Sequence, residues 1–405
     1  MHSGLGLKRK EYFIRLRGDQ LLTYLPQTGS CLSNLNTPTT LSTTIYLRQV
    51  CPVQSLRLST TTMVTFDNTS LNHSAFYCKF NEEFKYILLP VSYSLVFIVG
   101  LVLNTTALYV IMCRRKRWTP STIYMFNLTM CDTLYILTLP FLVYYYADEN
   151  DWPFTEPLCK IIRFLFYANL YGSILFLCCI SLHRFVGICY PVHSLHWVSG
   201  RRARLVSGGV WAIVLLCQAP LLYFSRTSNK YGRNICYDTT SPELFDDFLV
   251  YSSVVSVLMF ALPFMVVMVC YGLMMRKLLE PTWEAEGREG ERGCLAGRRS
   301  KQKSVKMIII VLATFMLCFL PFHLTRSLYY SFRYLRQVDP AQISCSLLEG
   351  SSIAYKVTRP FASANSCLDP ILYFLSGQET RNEIKKTITK STKTVNVDSR
   401  STTEF

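Results

Sequence analysis

Charge is scarce in this chain. Of its 405 residues only 17% are Asp, Glu, Lys or Arg, whereas half are hydrophobic and 14% aromatic. A soluble protein of that length divides into two or three domains, each with a charged surface. Here the apolar residues are gathered into blocks of about 20 residues or more with short charged links between them, the pattern of membrane-crossing helices. Acids are scarcer still, 26 against 42 bases, for a net charge of +16. That excess excludes a nucleic-acid face, because much of it lies at block ends, as in Arg114-Arg115-Lys116-Arg117 and Arg201-Arg202-Ala203-Arg204. Catalytic signatures are missing as well. There is no serine nucleophile elbow, no glycine loop for a phosphate, and no CxxC or His/Cys spacing for a metal, which argues against an enzyme. The second half does not repeat the first, which counts against a transporter; a channel or transporter stays the rival from another class.

What is present begins with a polar lead. Residues 1–79 are rich in Thr and Ser and lack a charged n-region followed by an apolar h-region, so no cleavable signal peptide is expected. Met63 opens a more ordinary short extracellular segment, and residues 1–62 read as an extension from an upstream start. Arg17-Gly18-Asp19 matches an integrin-binding tripeptide, but a lone match of this kind is usually chance. Asn68 and Asn72 head glycosylation sequons in an extracellular setting; the sequons at Asn104 and Asn127 fall inside apolar blocks, where no glycosylating enzyme reaches.

Seven blocks follow, at Tyr86–Met112, Ser121–Tyr146, Leu158–Cys189, Leu205–Phe224, Phe248–Leu279, Lys306–Phe332 and Ile353–Leu375. They predict an all-α, seven-span receptor domain over residues 80–376, with prolines 90, 140, 220, 263, 321, 360 and 370 as kink positions. The links after blocks one, three and five are basic and the second link, ADENDWPFTE, is acidic, so the N-terminus is expected outside and the tail, 377–405, in the cytoplasm. The link EPTWEAEGREGERGCLAGRRSKQK (280–303) is charged and glycine-rich. The tail carries many hydroxyls open to phosphorylation, and Thr403-Glu404-Phe405 offers a free carboxylate of the kind a PDZ domain captures.

Of the 16 cysteines, Cys113, Cys131, Cys178, Cys179, Cys217, Cys270, Cys318 and Cys367 lie in or at the ends of blocks, where a thiol is a small hydrophobe. Cys78, Cys159, Cys236 and Cys345 all fall on the outer side and make two bridges there, with connectivity left open by spacing alone.

The last block holds the residues around which the others are arranged. Lys356 and Arg359, three apart, share a helix face near its outer end. His323 and Arg326 repeat that spacing beyond Pro321, Arg163 lies one turn below Cys159, and Tyr167 and Tyr171 continue the Arg163 face. No acids in the same segments offset these cations. Each could snorkel to the headgroups on its own. Together, with their faces inward, they make an anion site in which guanidinium forks grip phosphate oxygens and Tyr rings stack on a base.

The ordered motifs resemble those of the rhodopsin-type G-protein-coupled receptors: GLVLN ending at Asn104, LTMCD ending at Asp132, His183-Arg184-Phe185 closing block three, Trp211, Pro263, FMLCFLPF with Pro321, and DPILY from Asp369 to Tyr373. FNEEFKYILLPVSY, CKIIRFLFYANLYGSILFLCCIS, CFLPFHLTRSLYYSFR and AYKVTRPFASANSCLDPILYFL resemble the metabotropic purinoceptors, receptors for extracellular nucleotides, and among these the subtypes answering uridine and adenine nucleoside triphosphates. The match runs over approximately 78–378. It implies a nucleotide site at Arg163, Tyr167, Tyr171, His323, Arg326, Lys356 and Arg359, with Asp238 of the Cys-x-Asp pattern selecting the ligand or standing as an exposed loop acid. It also implies bridges Cys159–Cys236 and Cys78–Cys345.

Deeper in the bundle, Asn104, Asp132, Ser173, Asn365 and Asp369 form a hydrogen-bonded network, to which the resemblance adds an allosteric sodium ion at Asp132 and a switch that includes Tyr373. Asp369-Pro370 stands where relatives often have Asn-Pro. Phe319 takes the place of a toggle tryptophan. The resemblance implies that Arg184 couples to the G protein, although it lacks the preceding acid that locks it in many relatives. The implied partners are a heterotrimeric G protein of the Gq type acting through phospholipase C and calcium, arrestin at the tail, and membrane lipid. A different small anion, such as a nucleoside diphosphate, an acidic lipid or a carboxylate, is the competing ligand within this class.

Overall fold

The structure, a computed structural model, describes residues 78, 80–114, 118–197, 199–230, 232–237, 240–279 and 305–376. Arg17-Gly18-Asp19, the proposed extension 1–62, the sequons at Asn68 and Asn72, Asp238, the 280–303 link and the tail with Thr403-Glu404-Phe405 all lie outside the described residues.

Among the described residues there are seven long helices: α1 (Lys85–Cys113), α2 (Pro120–Ala147), α3 (Glu156–Cys189), α4 (Gly200–Phe224), α5 (Pro242–Leu279), α6 (Val305–Val338) and α7 (Cys345–Ser376). A short helix, Pro191–Trp197, follows α3. An antiparallel hairpin, β1 (Thr227–Lys230) with β2 (Arg233–Cys236), lies between α4 and α5 and pairs Thr227 with Cys236. Among the described residues, six of the helices are long and apolar enough to cross a membrane. The seventh, α7, is long enough but carries Glu349, Lys356, Arg359 and Asp369, the polar content that singles it out as a functional element.

Helices begin or end beyond their apolar blocks where polar turns extend them. Thr119 caps α2 by accepting from the Thr122 amide, with Pro120 at the first turn. Ser199 caps α4 in the same way from Arg202 N, which places Arg201, Arg202 and Arg204 inside the helix. The polar turn CSLLEGSS likewise carries α7 back to Cys345, ahead of the predicted Ile353.

The prolines act in three ways. Turns interrupt the helix just before Pro140 and at Pro220. Ahead of Pro263 and Pro321 the chain widens into π-helical turns, Val257–Ala261 and Phe315–Phe319. Pro90, Pro360 and Pro370 sit within unbroken helix.

Helix α1 shows the sorting of faces. Leu89, Tyr93, Val96, Gly100, Asn104 and Ala107 are buried, while Ile87, Val91, Leu95, Ile98 and Val102 are 60–72% exposed, a stripe suited to lipid. Helix α3 is the central column, with 78% of its most apolar stretch buried against 22% for α1; it packs on α2, α4 and α5. Its approach to α2 is close enough that a Cβ on Gly172 would lie 2.9 Å from Cys131 Sγ.

Candidate functional site

The outer ends of the helices are drawn together by two disulfides, Cys159–Cys236 and Cys78–Cys345. The first pins β2 over the outer end of α3. The Trp152 amide donates to Asn234 O at 2.7 Å, and Asn234 N donates to Asp151 Oδ1 at 2.9 Å, fastening the α2–α3 loop to the hairpin. Arg163, one turn below Cys159, is buried and donates through Nη2 to Cys236 O at 3.3 Å; Tyr145 Oη donates to the same carbonyl at 3.1 Å. Part of Arg163's hydrogen-bonding capacity therefore holds the roof of the site.

Beneath that roof α6 supplies the centre. Arg326, only 4% exposed, donates from Nη1 to Tyr171 Oη at 3.0 Å and from Nη2 to Ser252 Oγ at 2.8 Å. Its guanidinium lies 4.8 Å from the Tyr167 ring centre and 5.4 Å from that of Tyr330. All these neighbours are neutral, and among the described residues no carboxylate pairs with Arg326. Tyr167 and Tyr171, one turn apart on α3, hold their rings 19° from parallel, and Tyr167 Oη has no hydrogen-bond partner in the described residues. One turn deeper on α6, His323 is buried against Phe260, ring centres 4.0 Å apart and 8° from parallel, with Nδ1 at 3.1 Å from Ser256 Oγ.

Helix α7 contributes differently at its two cations. Arg359, buried, turns inward; it donates to Tyr146 Oη at 3.0 Å, and the rings of Phe166 and Tyr355 both lie 5.8 Å from its guanidinium carbon. Lys356 pairs with Glu82, which sits just ahead of α1. The expectation of wholly uncompensated cations is corrected here. Glu82 is 274 positions away in sequence and outside every apolar block, so a count of acids within the spans passes over it. Burial works to raise the Glu82 carboxyl, but the charge and hydrogen bonds of Lys356 and Lys85 outweigh it and hold it below its ordinary value.

Sequence reasoning overlooked Ser252, Ser256, Phe260, Tyr146, Phe166, Tyr330 and Tyr355, which contact these side chains. Tyr355 and Tyr330 carry a signal, as neighbours of charged motif residues, but the α5 residues look like ordinary apolar helix.

A run of phenylalanines leads from His323 toward the interior. Phe260 stacks on Phe264 (5.8 Å), Phe264 meets Phe315 (5.8 Å), and Phe315 meets Phe319 edge-on (5.3 Å). Farther in, Asn104 Nδ2 donates to Ser366 O at 2.8 Å, Ser366 Oγ to Asn169 Oδ1 at 3.3 Å, and Asn169 Nδ2 to Asp132 Oδ1 at 2.8 Å. Ser173 Oγ stands 3.5 Å from Asn169 Nδ2, and Asn365 Oδ1 is 3.5 Å from Ser366 Oγ; Tyr373 is buried. Asn169 and Ser366 are thus the members of this network that the sequence motifs did not single out. Asp132 Oδ2, both Asp369 carboxylate oxygens and Asn104 Oδ1 are buried without a hydrogen-bond partner in the described residues. That donor set suits a small hard cation.

At the cytoplasmic end, Arg184 lines a cavity with Ile180, Ile188, Tyr271, Met274, Met307, Ile308 and Val311. The preceding His183 packs its ring against Tyr124, and no acid pairs with Arg184 among the described residues.

A buried cation among near-parallel tyrosine rings and neutral donors, beneath a disulfide-held hairpin, is a set of groups that an organic anion could satisfy. The family model described as "7 transmembrane receptor (rhodopsin family)" matches residues 103–373. The Y-class purinoceptor 2 of Homo sapiens is 56% identical over 314 residues, 78% of this chain and 79% of that protein. The Y-class purinoceptor 4 of Rattus norvegicus is 48% identical, covering 76% and 81%. The Y-class purinoceptor 3 of Gallus gallus is 41% identical, covering 77% and 92%.

Proposed function

This chain belongs to the rhodopsin family of seven-transmembrane receptors and, within it, to the Y-class purinoceptors; from that membership we propose that it is activated by extracellular nucleoside triphosphates, UTP or ATP, bound at the cation and tyrosine cluster beneath the β1–β2 hairpin. It is a multi-pass plasma-membrane receptor and not an enzyme, and it signals through a heterotrimeric G protein. The observation that carries the ligand reading is Arg326, a buried guanidinium whose described partners are all neutral. Leaving one cation so desolvated costs several kcal/mol, an expense that a polyphosphate offsets by charge-assisted bonds. Arg359 is the second phosphate ligand, Arg163 a third that also steadies the roof, and the Tyr167–Tyr171 pair the platform for the base. Asp238 takes part in ligand selection.

Binding shifts a resting equilibrium only by the ligand's greater affinity for the active arrangement. His323 and the Phe260–Phe264–Phe315–Phe319 contacts supply a packed connection from the ligand cluster to mid-α6, and movement there opens the cavity around Arg184 to the G protein. A Gq-type partner, phospholipase C and calcium are the proposed route, with arrestin and a PDZ-domain protein at the tail. A sodium ion held by Asp132 and Asp369 would supply the positive charge their free oxygens lack and favour the resting bundle.

Calcium responses of cells expressing the full chain to UTP, ATP, UDP and ADP test the ligand reading. Triphosphates acting at lower concentration than diphosphates are expected. Silence toward all four, with the receptor at the surface, overturns it in favour of another small anion.

A further inference from the structure

The segment just ahead of α1 is fastened across the outer end of α7 by more than its disulfide. Asn81 N donates to Glu349 Oε1 at 2.8 Å, Ser352 Oγ lies 3.4 Å from Glu82 Oε1, and Glu82 pairs with both Lys85 (2.7 Å) and Lys356. With Cys78 bonded to Cys345, the strap has ties on successive turns of α7, at residues 345, 349, 352 and 356. Glu82 and Lys356 are 21% and 12% exposed at their side chains, so this ion pair is shielded more than a surface one.

Its position places the pair beside the proposed phosphate ligands. Lys356 lies one turn outward of Arg359, about 4.5 Å along the helix axis. A phosphate chain anchored on Arg326 and Arg359 and running toward the opening reaches Lys356 last. Lys356 is already occupied by Glu82 Oε1, while Oε2 of the same carboxylate holds Lys85. Glu82 keeps Lys85 as a partner if Lys356 leaves it, so the exchange strands no buried charge.

We propose that Glu82 is a built-in counter-anion for Lys356, displaced by the outermost phosphate of a triphosphate, so that this strap sets how strongly the site prefers three phosphates to two. A diphosphate ends before Lys356 and leaves the Glu82 pair intact. A triphosphate gains Lys356 but must separate the pair to do so. The proposal rests on the nucleotide reading above and adds a specificity-determining residue to it.

The test uses the full-length receptor in cells, with wild type, Glu82→Gln, Lys356→Gln and the double variant compared for UTP and UDP potency at matched surface expression. Glu82→Gln is expected to sharpen UTP by about three- to tenfold, the range of a partly shielded ion pair, and to change UDP by less than about twofold. In the Lys356→Gln background, Glu82→Gln should then do nothing to either ligand. An unchanged UTP-to-UDP ratio in Glu82→Gln, or an equal loss for both ligands, overturns the proposal and makes the strap purely structural. If Glu82→Gln fails to reach the surface, Glu82→Asp, whose carboxylate is drawn back by one methylene, is held to the same ratio criterion. A wild-type receptor silent to both nucleotides defeats the nucleotide reading itself, whereas a responsive one with an unmoved ratio defeats only the role of Glu82.

Discussion

Arg326→Met is the sharpest probe of the anion site. It keeps most of the side-chain volume and removes the charge that Tyr171, Ser252 and the Tyr167 ring surround without neutralising. Charge-assisted hydrogen bonds are worth roughly 1.5–3 kcal/mol, so losing one phosphate grip weakens UTP by roughly 10- to 150-fold at about 1.4 kcal/mol per decade. Stability should move the other way. Replacing a buried ion by an apolar side chain of similar size is commonly neutral or stabilising, so the melting temperature of the purified ligand-free receptor should hold or rise. Arg326→Lys keeps the charge but not the planar fork, and its potency loss should be intermediate. The assay is calcium release against UTP concentration, with surface receptor counted by antibody and melting followed in detergent. Unaltered dose-response curves in both variants at normal surface levels would refute the phosphate grip. A potency loss accompanied by a matching loss of stability would show that Arg326 is a structural strut.

Three further outcomes follow from the geometry. Gly172→Ala sets a methyl 2.9 Å from Cys131 Sγ and should destabilise the receptor by about 1–3 kcal/mol; Cys131→Ala removes that sulfur and should restore melting in the double variant, and failure to do so would place the strain elsewhere. Asp132→Asn should abolish any dependence of UTP potency on extracellular sodium, measured by replacing sodium with choline; a retained sodium effect would move the ion away from Asp132 and Asp369. The Glu82 carboxyl, held below its usual 4.5, adds stability that is complete above that pH and disappears as pH falls through the folded value. The melting difference between wild type and Glu82→Gln should therefore be flat from about pH 7 to 5 and shrink in more acid buffer, and a difference that grows on acidification would reverse the assignment.

Much of this architecture could be read from the chain alone because six spans announce themselves by apolar length, and the seventh by where its charges lie. What escaped was polar. Helix ends such as Gly200 and Cys345 are set by caps and hydrophilic turns that a hydropathy reading assigns to loops. The hairpin Thr227–Cys236 has no alternation of apolar residues to betray it, since TSNK and RNIC pair through backbone and through the loop beside Trp152. In the site, Arg326 and His323 meet Tyr171, and Arg359 turns inward onto Phe166, contacts in keeping with the helical faces their spacing puts them on. Lys356 instead meets an acid contributed by the far end of the domain, a meeting that only the closed bundle creates. Ser252 and Ser256 could not have been singled out in α5, where hydroxyls one turn apart look like incidental polar residues until Arg326 and His323 arrive opposite them.

The π-helical turn at Phe315–Phe319 has a geometric corollary for signalling. Such a turn absorbs one residue more than a regular helix allows, and each residue of regular helix subtends about 100°. Were it to tighten, the outer half bearing His323 and Arg326 and the inner half bearing Met307 and Val311 would twist against one another. The message crossing the membrane would then be a wringing motion about the axis of a single rod, with Pro321 as the place where the rod yields.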